Sequence, residues 1–203
     1  MPAVATVLLQ QGAADWEFGP VLPVLRYYLG LEIRTATPDG HAVETIGGLR
    51  VQADTIFETA NIADADIVMI VGSDVWQPQG DSALEKRLKA RADAGRPIAA
   101  ICAGTLPLAR AGVLDGRPHT SNALGFLKEN AAEYHGEAHY RDVAHAVSDG
   151  VIVTAPGSAP ASFACAVAAA VKPERAAEVV AYWNMARGEF EALGTDLEKV
   201  FRA

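Results

Sequence analysis

A cysteine stands where an apolar run gives way to a helical pattern, in Arg96-Pro97-Ile98-Ala99-Ala100-Ile101-Cys102-Ala103-Gly104-Thr105. In open parallel sheets, ligands gather at the carboxyl ends of the strands. A side chain on a sharp strand-to-helix turn projects out of the sheet at that end, and the turn needs small neighbours because it is tight. This is the physics of a nucleophile elbow, with a thiol in place of a hydroxyl. The N–H groups and positive dipole end of the following helix favour the thiolate, which is the attacking form. The competing reading is a buried and inert cysteine. Cys165, inside the apolar helical run SFACAVAAAV, is read that way.

A second stretch, Gly12-Ala13-Ala14-Asp15-Trp16-Glu17-Phe18, follows the first apolar run and so also lies at a strand's carboxyl end. Two acids flank an aromatic residue at the start of a helix. They either serve chemistry or complement the helix dipole as an N-terminal pair, and spacing alone does not choose. His135 and His139 are four apart, but Gly136 lies between them and a strand begins close by. Neither a shared helical face nor an H-E-x-x-H motif results, so no metal site is expected. With no G-x-G-x-x-G after a strand and no Walker A lysine loop, no nucleotide or other cofactor is expected.

The elements that must position these residues read as alternating strands and helices. Val4–Leu9, Ile67–Val71, Ile98–Ile101 and Val151–Val153 are short apolar runs, the first three nearly continuous, as in strands covered on both faces. Helical spacing appears at Phe18–Leu29, Ser82–Ala94, Leu106–Ala111, Ala123–Glu133, Ala161–Val171 and Glu174–Phe190. Gly95 and Pro97 stop the second of these. Pro20 and Pro23 are tolerable in the first only near its opening turn. Gly47-Gly48 between Glu44–Ile46 and Arg50–Gln52 marks a hairpin. Asp149-Gly150 between Tyr140–Val147 and Val151–Thr154 marks another. The pattern predicts an α/β fold: a mainly parallel sheet, helices on both faces, small hairpin additions, and a single domain over residues 1–203.

Composition narrows the function classes. The chain has 203 residues, 50% hydrophobic and 21% charged, enough for a substantial core. Its formal net charge of −8 argues against nucleic acid or an anionic membrane as partner. Two cysteines cannot staple a disulfide scaffold or build a cysteine-based zinc site. The start of the chain lacks a basic segment, and Val4–Leu9 is too short for a signal core or a membrane span. A cytoplasmic protein is expected.

The segment PIAAICAGTLPLARAGVLDGRPHT resembles the cysteine elbow of the DJ-1/PfpI superfamily. VLLQQGAADWEF resembles its first strand and acidic loop, DIVMIVGSDVW its glycine-bearing segment, and DGVIVTAPGSAPASFACAVAAAV its closing hairpin and helix. The resemblance spans nearly the whole chain. It implies a flavodoxin-like three-layer sandwich, a homodimer, and a cysteine nucleophile, Cys102. Glu17 would then be the protonated acid bonded to the thiol, with Asp15 a cap or polar neighbour. It also implies an oxyanion pocket from the N–H groups of Ser73 and Ala103, with Gly72 allowing close approach. Ser73 departs from a more usual glycine. Ala103 stands where the peptidase branch has histidine, which argues against protease activity. His119 resembles a histidine near the cysteine, a proton shuttle or a loop residue. Trp16 and Trp76 either wall the pocket or pack in the core. The implied chemistry is that of a small-molecule enzyme acting on a reactive carbonyl, glyoxalase-like. The alternative is a thiol redox sensor or holdase-type stress protein.

Overall fold

The computed structural model describes residues 3–77 and 80–193, and the unit expected over 1–203 extends beyond them. A seven-stranded sheet runs in the order β5-β2-β1-β6-β7-β9-β8. Its strands are β1 (Val4–Leu8), β2 (Glu32–Thr37), β5 (Thr55–Ile56), β6 (Ile67–Ile70), β7 (Ile98–Ile101), β8 (Val147–Ser148) and β9 (Ile152–Ala155). All pairings are parallel except β8 with β9. A separate ribbon pairs β3 (Val43–Glu44) with β4 (Arg50–Val51). The helices are α1 (Asp15–Phe18), α2 (Val21–Pro23), α3 (Ser82–Asp93), α4 (Leu106–Arg110), α5 (Leu124–Asn130), α6 (Pro160–Val171) and α7 (Ala176–Leu193).

The continuous apolar runs become strands buried on both faces, because alternate side chains feed two different cores. Val68, Ile70, Ile98 and Ala100 pack under α3, α4 and α5 with Leu84, Leu88, Leu106 and Leu127. Ile67, Met69, Ala99 and Ile101 pack under the other layer with Val21, Leu25, Phe163 and Val167. Cys102 touches both clusters, because it sits at the end of β7 where the two layers meet. The expected sandwich with helices on both faces is thus observed.

Several expected elements shift. The Phe18–Leu29 helix is broken at Gly19 and then widens into a π turn over Val24–Tyr28, with Leu29 N–H donating to Val24 O at 3.0 Å. Pro20 and Pro23 lack the N–H groups that a regular ladder would use there. β2 and β5 carry no continuous apolar run and were not expected. The polar Arg34 and Thr35 of β2 face partly outward near the sheet edge. The two hairpins form: β3, β4 and β8 are shorter than expected, and β9 is displaced by one residue, to Ile152–Ala155.

Two arginines brace the frame by donating to main-chain carbonyls. Buried Arg91 donates to the carbonyls of Ile62, Ala63, Ala65 and Pro97, locking the entries of β6 and β7 together. Arg110 of α4 donates to the carbonyls of Trp76, Gln77 and Asn130.

Gly104 is the tightest point of the elbow. A Cβ there would lie 2.5 Å from Ile70 O, against backbone that cannot swing aside. Gly104→Ala is therefore expected to destabilise the protein by about 1–3 kcal/mol, read as a lowered urea midpoint at unchanged slope.

Candidate active site

The strand β7 ends at Ile101 with extended backbone, and Cys102 follows at φ 58°. It is the one non-glycine residue in the left-handed region among those described. Such a conformation costs on the order of 1–3 kcal/mol and persists only where the surroundings enforce it. One turn of 3-10 helix over Cys102–Thr105 then leads into α4. Thr105 Oγ1 donates to Cys102 O at 2.7 Å and also pairs with Ser121 Oγ at 2.7 Å, pinning the turn to the 118–122 segment.

Glu17, in the single turn of α1, is fully buried against this turn. Gly72 N–H donates to its Oε2 at 2.7 Å, while its Oε1 is buried without a well-formed hydrogen bond. Two missing side chains create the space. A Cβ on Gly72 would lie 2.6 Å from Glu17 Oε2 and 2.8 Å from Cys102 Cβ. A Cβ on Gly157 would lie 3.0 Å from Cys102 Sγ and 3.2 Å from Glu17 Oε1. Carboxyl and sulfur are therefore wedged between two glycine backbones.

Burial raises Glu17 to about 7, opposed by its contacts with Cys102 and the Gly72 N–H. Burial also pushes the Cys102 thiol up to about 11, and the negative charge of Glu17 adds to that. Asn122 and the Ala103 N–H act the other way. Burial thus opposes the thiolate that the helix end is expected to favour. The element after Cys102 is a single 3-10 turn and a five-residue helix.

The structure brings together Cys102, Glu17, Gly72 and Ala103, with Ser73 next in the chain. Ser73 Oγ donates to Gln11 O at 2.6 Å and accepts from Val75 N–H at 3.2 Å, which fixes the loop that a glycine would have left freer. Trp16 is half exposed at the rim, its indole N–H donating to Gly157 O at 3.0 Å. Asp15 turns away. The Thr45 hydroxyl and the Gly47 N–H, the latter at 2.6 Å, hold its carboxyl below the usual range, so it clamps the ribbon turn to α1 and does not cap its own helix.

Two expected site residues lie elsewhere. His119 is fully buried, with Nδ1 2.7 Å from Arg117 O and Nε2 2.7 Å from Tyr134 Oη. Both ring nitrogens are engaged by groups other than the sulfur and the ring packs edge-on to Tyr134 and Tyr140, so it is a core residue that does not bond to the thiol. Trp76 is core rather than pocket wall. It stacks on Phe57 and donates to Val71 O at 2.8 Å, bracing the strand end just before Gly72. Sequence reasoning missed Asn122, three residues beyond His119, whose Nδ2 donates to Cys102 Sγ at 3.1 Å. It also missed Gly157, whose place just beyond β9, at a strand's carboxyl end, was the available signal.

The family model for the DJ-1/PfpI family matches residues 3–170. A relative named "Uncharacterized protease YoaZ" from Bacillus subtilis (strain 168) is 33% identical over 161 residues, 76% of each chain. The crystal structure of DJ-1 superfamily protein Atu0886 from Agrobacterium tumefaciens superposes with TM-score 0.79 at 41% identity, covering 89% of this chain and 97% of that one. Drosophila melanogaster DJ-1beta superposes with TM-score 0.71 at 28% identity, again covering 89% and 97%.

The Glu17 environment makes stability depend on pH with a defined sign. The carboxyl ionises near 4.5 in the unfolded chain and near 7 in the fold, so the folded protein holds an extra proton between these values. Stability is then full below the lower value and falls as pH rises through the upper one, by on the order of 3 kcal/mol. Glu17→Gln should flatten this limb. The measurement is the urea midpoint of both proteins from about pH 4 to about pH 8; parallel curves would contradict the assignment.

Proposed function

This chain belongs to the DJ-1/PfpI family, and we propose that within it the protein is a cysteine-dependent enzyme acting on small reactive carbonyl compounds, of the 2-oxoaldehyde type. The observation that carries the reading is the enclosure of one thiol and one carboxyl, with Glu17 Oε1 left as a buried polar atom beside the sulfur. Gly72 N–H occupies Oε2, so a proton on the carboxyl belongs on Oε1. With the proton there, Glu17 donates to the sulfur and the charge that adds to the thiol's rise disappears, while burial, the larger cause, remains and is opposed by the Asn122 and Ala103 donors. The one negative charge of the pair then rests on sulfur with every polar atom satisfied.

The chemistry follows in balanced steps. The thiolate adds to the aldehyde carbon, and the carbonyl π pair moves to oxygen, which takes the Glu17 proton to give a hemithioacetal. Ser73 and Ala103 N–H groups stabilise that oxygen as charge develops. The Glu17 carboxylate removes the hydrogen from the same carbon. The electrons pass through an enediol to the neighbouring carbonyl, and reprotonation at the second carbon leaves a thioester of a 2-hydroxy acid. Water cleaves the thioester and restores the thiol. The net reaction adds one water and needs no oxidant, reductant or cofactor.

Peptidase chemistry gains no support. Ala103 follows the cysteine, and among the described residues no histidine bonds to the sulfur. We take the protein to work in the cytoplasm as a homodimer, a reading that rests on the family likeness. No described helix is long and apolar enough to cross a membrane. A thiol redox sensor or holdase is the second reading, favoured by the same donors: the Glu17 O–H and Asn122 amide could hold a sulfinate formed by peroxide.

Cys102→Ser is expected to abolish turnover of 2-oxoaldehydes to 2-hydroxy acids, and Glu17→Gln to lower it by about 10²–10⁴-fold, followed by product formation. Full activity in the serine variant would remove the enzyme reading. A wild type without turnover that gains two oxygens at Cys102 under mild peroxide, by intact mass, would favour the sensor.

A further inference from the structure

Asn122 was not expected at the sulfur, and its setting fixes what it can do there. Its Oδ1 accepts from Gly157 N–H at 2.9 Å, and its Nδ2 donates to Cys102 Sγ at 3.1 Å. Rotating the amide would set oxygen against sulfur and N–H against N–H, so one orientation is enforced. Gly157 is held in turn by the Trp16 indole N–H on its carbonyl. Trp16 and Glu17 are neighbours in the chain, so the contacts close a ring around the sulfur: Glu17, Cys102, Asn122, Gly157, Trp16.

The electrostatic character of this ring is unusual for a nucleophile. Its donors, the Asn122 amide, the Ala103 N–H and the indole, are all neutral. Among the described residues, the hydrogen bonds to the side chains of this pair come from Asn122 and the Gly72 N–H, and no lysine, arginine or histidine forms a hydrogen bond or ion pair with either member. An incoming carboxylate next to the reacting carbon would meet a negative charge shared by Cys102 and Glu17, with no cation of the same chain paired to it.

We propose that Asn122 is a further catalytic residue, a fixed neutral donor to the Cys102 sulfur, in a site that accepts uncharged carbonyl electrophiles and rejects those bearing a carboxylate beside the reacting carbon. This specificity rests on the carbonyl reading above; the action of Asn122 on the sulfur does not. Asn122 exchanges no proton, so proton movement falls to Glu17.

The test reads the sulfur directly. Alkylation of Cys102 by iodoacetamide and by iodoacetate forms the S–C bond as iodide leaves, and is followed across pH by peptide mass, which separates Cys102 from Cys165. The wild type should prefer iodoacetamide over iodoacetate by about tenfold or more beyond the preference of 2-mercaptoethanol. Asn122→Ala should move the pH midpoint of alkylation up by about one to two units. Asn122→Ser, which keeps a donor, should recover part of that shift, and Asn122→Asp should slow iodoacetate further. Asn122 is exposed, so these variants spare the core, and near-UV circular dichroism verifies the fold. An unchanged midpoint in Asn122→Ala overturns the donor role. A wild-type preference equal to that of 2-mercaptoethanol overturns the selectivity. If both hold while no aldehyde turns over, the carbonyl reading fails and the role of Asn122 at the sulfur stands.

Discussion

The site depends on a carboxyl group and a thiol being forced into one small volume with little water. Each alone would be costly to ionise there, and each changes what the other can do. Glu17 comes from α1, which follows β1, Cys102 from the end of β7, and β6 lies between those strands in the sheet. The loop after β6 therefore runs alongside both groups. Gly72 on that loop gives Glu17 its N–H and leaves no Cβ in the way. Strand order, loop glycine and proton placement are thus parts of a single constraint.

The frame around that constraint is rigid where rigidity is required. Trp76 braces the carbonyl of Val71, Arg110 ties the turn containing Trp76 to α4, and Ser73 anchors its loop to Gln11. On the other side, Thr105 and Ser121 join the elbow to the segment carrying Asn122. Apart from the Ser73 N–H, none of these residues needs to touch a substrate. They hold the left-handed backbone at Cys102 and the donor positions around it, which is how a fold maintains a conformation that an isolated peptide would leave.

Much of this was legible in the sequence because it is written in local patterns. Apolar runs of three to six residues marked β1, β6, β7 and half of β9, and the Ala-Gly context marked the elbow. β2 was illegible because it is half covered and carries Arg34 and Thr35, so burial on both faces did not stamp it. Cys102 and Gly72 could be found from their own segments. Glu17 could be singled out, but its contact with the cysteine came only from family likeness. His119 shows the limit of such likeness: polar residues in Pro-His-Thr-Ser-Asn all look eligible, and a shift of three positions separates a core histidine from the residue at the sulfur. The two tryptophans considered for the pocket divide for a similar reason. Trp76 closes a 3-10 turn and stacks on Phe57, whereas Trp16 opens a helix at the surface, and neither fate is encoded within a few residues.

The bond from Trp16 to Gly157 gives the molecule a built-in optical gauge. Trp76 is sealed in the core, and Trp16 sits half in solvent, two links away from the sulfur through Gly157 and Asn122. A group attached to Cys102 lies beside the Asn122 amide and the Gly157 backbone, where a Cβ would come within 3.0 Å of the sulfur. Where it shifts either one, the change reaches the Trp16 indole, 86 positions earlier in the chain, and is read over the emission of Trp76 and Trp183.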